Sequence, residues 1–109
     1  MLTCIYDAAG RLAACACASM RYHPEGPLSG WIFAGGVSVS PDHRRKALGS
    51  YVNAALLADS QKAFNWRCAL EQAKFDNTAS VGMIKRCGLR AVDGKVTVII
   101  NLTGSFVTR

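Results

Sequence analysis

The sequence contains no apolar run long enough to cross a bilayer, no internal repeat and no low-complexity segment. These absences argue against a helical membrane span and a repeat array. Residues 1–20 are apolar, but Asp7, Gly10 and Arg11 interrupt them and no basic segment precedes them. A signal peptide is therefore not expected, and a cytoplasmic location is. Only two histidines occur, neither at finger spacing with a cysteine pair, so a zinc site with about four N or S ligands is not expected. The five cysteines (4, 15, 17, 68 and 87) are odd in number and lack the spacing of a secreted scaffold. They read as free thiols in a reducing compartment. Cys15 and Cys17 lie two apart in an apolar segment, so they share one face of a strand there. Acidic residues are also few, seven against thirteen Lys and Arg.

What is present fits one folded domain, residues 1–109. The chain has 109 residues, half of them hydrophobic, and a mean hydropathy of +0.15. That is enough for a modest core. The net charge of +6 and pI near 9.4 suit an anionic partner such as nucleic acid, an acidic surface or a phosphorylated small molecule.

Pattern and turn signals give the element order. Leu2–Tyr6 and Arg11–Tyr22 form a hairpin around Asp7-Ala8-Ala9-Gly10. His23–Ser29 is a loop. Gly30–Val39 is a strand whose paired glycines, Gly35 and Gly36, signal a bulge. A helix runs from about His43 to Lys62, with Leu48, Tyr51, Val52, Ala55 and Ala58 as its apolar face. Trp66–Ala73 is a strand, and Thr78–Cys87 a helix with Asn77 as N-cap and Gly88 as stop. Leu89–Val92 and Val96–Asn101 close the chain as a hairpin turned by Asp93-Gly94. Trp31, Trp66 and Phe75 read as core or cleft packing, and His23 and His43 as surface residues. The fold class is α/β with a mixed sheet.

The segment Val37–Val52 breaks a local rule. A strand ends at Ser40-Pro41, and the following helix opens on His43, Arg44, Arg45 and Lys46. Cations at a helix N-terminus cost roughly 0.3–1 kcal/mol each. A phosphate seated on the free helix N–H groups would reverse that sign. The bland alternative is a solvated helix start capped by Asp42. No GxxxxGK[ST] motif is present, so this is not a Walker loop.

Arg44 to Gly49 has the spacing R-x-x-G-x-G with Ala47 in the first glycine position. It follows a V-x-V-x-P strand end. Downstream lies Asn77-Thr78-Ala79-Ser80, then Met83-Ile84-Lys85-Arg86-Cys87-Gly88-Leu89. In this order the two segments resemble the GNAT superfamily of acyl-CoA N-acyltransferases, over essentially the whole chain. The resemblance implies a GNAT-like β-β-β-α-β-α-β-β order and acetyl-CoA as acyl donor to an unidentified amine. It implies that backbone groups of Val37, Ser38 and Val39 pair with the pantetheine arm. The N–H groups of Arg45, Lys46, Ala47, Leu48, Gly49 and Ser50, with Arg44 beside them, would hold the pyrophosphate. Asn77 would bond the pantetheine arm and Ser80 line the same cleft.

Three departures from the family pattern matter. Ala47 keeps its N–H, so phosphate binding is expected if its φ stays negative. Ile84 stands where many members carry a tyrosine acid, and no base is evident; Glu71 is the candidate, with a solvent-facing role as its alternative. The resemblance also implies that the usual N-terminal strand and two helices are missing. The exposed sheet edge would then be completed by a second copy or another chain. The competing readings are a catalytically silent or truncated acyl-CoA-binding module and a nucleic-acid-binding domain. The latter is disfavoured because the basic residues cluster at one helix start rather than over a groove-sized face.

Overall fold

A computed structural model describes residues 1–74 and 76–92, together with the backbone of 98–100 and 106–108. Its elements are β1 (Leu2–Tyr6), β2 (Leu12–Ser19), β3 (Trp31–Val39), α1 (Leu48–Phe64), β4 (Cys68–Leu70), α2 (Thr78–Arg86), β5 (Val98–Ile100) and β6 (Phe106–Thr108). A single 3-10 turn, Pro41–His43, stands between β3 and α1. The first four strands form one sheet in the order β1-β2-β3-β4. The β1–β2 and β2–β3 pairs are antiparallel. β3 and β4 are parallel, as the α1 crossover between them requires. The architecture is the expected mixed α/β one, and β1 is an edge strand.

Asp7 makes the first hairpin. Its Oδ1 accepts from the backbone N–H groups of Ala9 and Arg11, each at 2.9 Å, and Gly10 supplies the left-handed step with φ +80°. β2 alternates small residues, and its inner side, Ala14, Ala16 and Ala18, is buried. Alanine there brings the backbone of α1 close to the sheet. Ile32, Val52 and Leu56, all fully buried, fill the centre, each worth about 1.5–3 kcal/mol by burial. The bulge expected at the paired glycines is present. Cys15 pairs with Ser38 and Cys17 with Gly35, so two steps on β2 face three on β3. Gly36 has φ +59° there, and a Cβ on it would lie 3.0 Å from Cys17 Sγ.

Several boundaries differ from the sequence pattern. The strand expected over Arg11–Tyr22 is limited to β2, and the one expected over Trp66–Ala73 to three residues, β4. The helix expected from His43 starts five residues later, at Leu48. Pro41 makes a 3-10 turn instead, and positive φ at Arg45 and Ala47 blocks helical continuation. Its inward face is Val52, Asn53, Leu56 and Ser60, whereas Tyr51 is 67% exposed and Ala58 is exposed too. Two buried polar residues masked that face in the apolar pattern. Ser60 is satisfied, donating to the Leu57 carbonyl and accepting from Trp66 Nε1 at 3.0 Å. α1 stops at Asn65, whose left-handed backbone donates its N–H to the Gln61 carbonyl.

Leu89–Val92 is not a strand. The last hairpin pairs β5 with β6 instead. Asp93, Gly94 and Phe75 lie outside the described residues. None of the described helices is long and apolar enough to cross a membrane.

Candidate functional site

The site begins where β3 and β4 part. Their pairing runs through Trp31–Cys68, Ile32–Ala69 and Phe33–Leu70 and then ends. β3 continues to Val39, so its Ala34–Val39 stretch has no strand on that side among the described residues. An extended backbone facing such an edge can be paired by a ligand's amides as readily as by a strand. Val37, Ser38 and Val39 occupy this stretch.

The start of α1 closes the mouth of the opening. A Cβ on Gly49 would lie 3.6 Å from Val39 Cγ2 and 3.7 Å from Val37 Cγ1, so the first helical turn rests directly on β3. No side chain caps this helix, and its first turn holds no acidic residue. Asp42 therefore does not cap it, and the N-cap is Ala47. Arg44, Arg45 and Lys46 are exposed and precede the first turn rather than occupying it. Arg44 folds back, its Nε donating to the Val39 carbonyl at 3.5 Å. Free helix N–H groups, three cations and no carboxylate in the turn fit an anion such as a pyrophosphate.

Ala47 departs from expectation. Its φ is +57° rather than negative, and Arg45 is also left-handed at +63°. For non-glycine residues this costs roughly 1–2 kcal/mol each. Left-handed residues are also a component of anion-binding nests, in which neighbouring backbone N–H groups converge.

Two contacts hold the turn in place. His43 was expected at the surface, but its side chain is only 14% exposed and its Nε2 lies 3.2 Å from Asp7 Oδ2. Arg11 shares that carboxylate, Nε to Oδ2, at 3.2 Å. The Arg11 backbone N–H, with its guanidinium, holds the Asp7 carboxyl below the usual carboxylate range. On the other side, Arg86 Nε donates to Ser50 Oγ at 3.3 Å, tying the end of α2 to the start of α1.

Asn77 caps α2 as expected, its Oδ1 accepting from the Ser80 N–H at 3.1 Å. Its Nδ2 is left for another acceptor. Asn77 is exposed and Ser80 half-buried. Ile84, at the family's tyrosine position, is half-buried.

Glu71 directly follows β4, and it is half-buried rather than solvent-facing. Asn53, fully buried on α1, donates Nδ2 to Glu71 Oε2 at 3.1 Å and to Cys87 Sγ at 3.5 Å. Cys87 Sγ in turn donates to the Ser50 carbonyl at 3.6 Å. Burial raises the Glu71 pKa, and the Asn53 hydrogen bond opposes that only in part. Asn53 Oδ1 and Glu71 Oε1 are buried without partners. A protonated Glu71 has the one donor that two such oxygens can share.

Arg86, Asn53, Cys87 and His43 had no assigned role in the sequence reading. Asn53 carried a usable signal, a polar residue next to Val52 on the buried side of a helix. Two concavities of the described residues lie away from the basic turn. One, about 420 Å³, lies between the second half of α1 and β4, bordered by Trp66 and Leu89. The other, about 330 Å³, lies between the ends of β2 and β3 and includes Ser38 and Val39. The open β3 edge and the exposed turn form a shallow surface rather than an enclosed cavity, so volume does not mark them.

This arrangement of sheet and helices is that of the GNAT acetyltransferase fold. The Acetyltransferase (GNAT) family model matches residues 1–89, and the chain belongs to that family. Among solved structures, an aminoglycoside 6'-N-acetyltransferase, AAC(6')-Iy in complex with a bisubstrate analogue of CoA, superposes with a TM-score of 0.67 at 22% identity, covering 84% of this chain and 63% of that one. Glucosamine-6-phosphate N-acetyltransferase from Arabidopsis thaliana gives 0.68 at 18% identity, covering 90% and 65%. AAC(6')-IG from Acinetobacter haemolyticus gives 0.63 at 22%, covering 86% and 65%. These likenesses establish the fold, and the chain spans 63–65% of the length of these three. A search of curated proteins finds no match.

Two outcomes are expected. Ala47→Gly relieves the left-handed strain without altering a contact, so it stabilises the chain by about 1 kcal/mol; thermal unfolding of both forms measures this. Glu71 has a raised folded-state pKa, so its favourable contribution is complete below the unfolded carboxylate pKa. It is lost as pH rises through the raised value. Glu71→Gln, which stays neutral and keeps the bond to Asn53, should flatten the fall in melting temperature as pH rises above the ordinary carboxylate range.

Proposed function

We propose that the chain acts as an acetyl-CoA-dependent N-acetyltransferase, moving the acyl group directly to an amine whose identity its residues do not specify. The observation that carries this reading is the meeting of the open β3 edge with the uncapped, cation-lined start of α1. Val37, Ser38 and Val39 would pair with the pantetheine amides. The N–H groups of Arg45, Lys46, Ala47, Leu48, Gly49 and Ser50, with the Arg44 side chain, would hold the pyrophosphate. Asn77 Nδ2 would bond the pantetheine arm beside Ser80. The neighbours of this fold that are named as aminoglycoside and glucosamine-6-phosphate N-acetyltransferases support an amine acceptor.

The chemistry asked of the protein is modest. Holding thioester and amine in register supplies roughly 7–11 kcal/mol of barrier reduction. An ammonium acceptor must lose a proton before it attacks. Glu71 is the residue proposed to take it, directly or through water, since its desolvated carboxyl has a pKa raised toward the range useful to a base. Ile84 cannot protonate the departing thiolate, so that proton comes from water in this reading. The same Ile84 favours a second reading, an acyl-CoA-binding module without turnover.

Gly49→Glu places a carboxylate at the turn, where a Cβ meets only ordinary contacts with Val37 and Val39. It should weaken calorimetric binding of acetyl-CoA at least about tenfold. Unchanged binding would remove the pyrophosphate assignment. Glu71→Gln should leave acetyl-CoA binding intact and lower thiol release with a panel of amines by roughly 10²–10⁴-fold. Binding by the parent chain without any thiol release would favour the silent module.

A further inference from the structure

The sheet face turned away from α1 carries three thiols in a fixed arrangement. Ala14, Ala16 and Ala18 of β2 point into the core with Val52 and Leu56, so the alternate residues Cys15 and Cys17 lie on the opposite face. Across the ladder Cys4 stands opposite Cys15, and Leu2 opposite Cys17. The hydrogen-bond phase follows from the strand ends. The Met1 amine donates to the Ala18 carbonyl at 2.8 Å, and the Ala18 N–H donates to the Met1 carbonyl at 2.9 Å. Met1 and Ala18 are therefore a hydrogen-bonded pair. Pairs alternate along an antiparallel ladder, and three steps inward Cys4 and Cys15 fall on a non-hydrogen-bonded pair.

That phase decides the chemistry. In a non-hydrogen-bonded pair the Cα atoms are about 4.5 Å apart and the side chains approach most closely, within the roughly 4.4–6.8 Å that a disulfide spans. Cys17 is diagonal to Cys4, at about 7–8 Å, beyond that span. Cys4 and Cys15 are half-buried, Cys17 is exposed, and all are free thiols.

We propose that Cys4 and Cys15 form a dithiol site that a small-molecule disulfide oxidises to a cross-strand bond. One thiolate of the pair attacks the disulfide RSSR and expels RS⁻, leaving a mixed disulfide. The facing thiolate displaces the second RS⁻ and closes the Cys4–Cys15 bond. Two electrons pass from the protein to RSSR, and the two protons released leave with it as two RSH. The bond closes a loop containing Asp7, the residue that holds His43 beside the basic turn. It thus staples the hairpin that braces that turn.

The test uses the full chain with glutathione disulfide as the probe. Trypsin cuts after Arg11 and Arg21, which separates Cys4 from Cys15 and Cys17. Mass spectrometry without reductant should find peptides 1–11 and 12–21 joined, two hydrogens lighter than their sum and separable by a thiol reductant. The link should form equally in Cys17→Ser and be absent from Cys15→Ser. Glutathione mixed disulfides without closure in the parent chain would overturn the proposal. So would a link that survives Cys15→Ser, because it would then join Cys4 to Cys17.

Discussion

Everything at the site depends on β3 and β4 pairing for only three residues. A longer parallel ladder would satisfy the Ala34–Val39 backbone and leave nothing for a ligand to pair with. Instead β4 ends at Leu70, and β3 runs on past it with β2 on one side only among the described residues, its register shifted at the glycine bulge. α1 then starts against Val37 and Val39, so its free N–H groups open at the mouth of the gap. A backbone edge and a helix terminus, each without a partner among the described residues, are thereby brought side by side. Water can satisfy both, and so can a molecule with amides at one end and a pyrophosphate at the other.

The basic turn is held at a cost. Arg45 and Ala47 are left-handed, at roughly 1–2 kcal/mol each, and three cations adjoin an uncapped helix start. The compensation is local. Asp7 grips His43 on one flank, and Arg86 grips Ser50 on the other. The alanine-lined face of β2 seats α1 closely enough for Val52 and Leu56 to be fully buried. Strain confined between well-packed supports is expected where a backbone shape is kept for binding rather than for stability.

The sheet, the crossover, the Gly35–Gly36 bulge and the Asn77 cap were legible because each rests on local chemistry: alternation, glycine freedom or a capping side chain. The start of α1 was not. Arg44 to Ala47 have no helix-breaking residue type, and only the backbone reveals that two of them are left-handed. The helix face was misread for a related reason: Asn53 and Ser60 are buried, and polar residues are invisible to an apolar pattern. The same blind spot hid the Asn53–Glu71–Cys87 cluster, whose members are far apart in sequence and meet only after α1, β4 and α2 pack. The proposed cofactor residues stand out as a spacing in the chain, while Arg86 and His43 make tertiary contacts that no spacing encodes.

The proposed cofactor surface joins the open edge of β3 to the uncapped start of α1, and Glu71 is the proposed base. The most direct test is amide hydrogen exchange of the parent chain with and without acetyl-CoA. The account predicts slowed exchange at two separate places, the β3 amides of Val37–Val39 and the turn amides of Lys46–Ser50. Slowing at neither place, or slowing confined to the cavity beside Trp66 and Leu89, would contradict it.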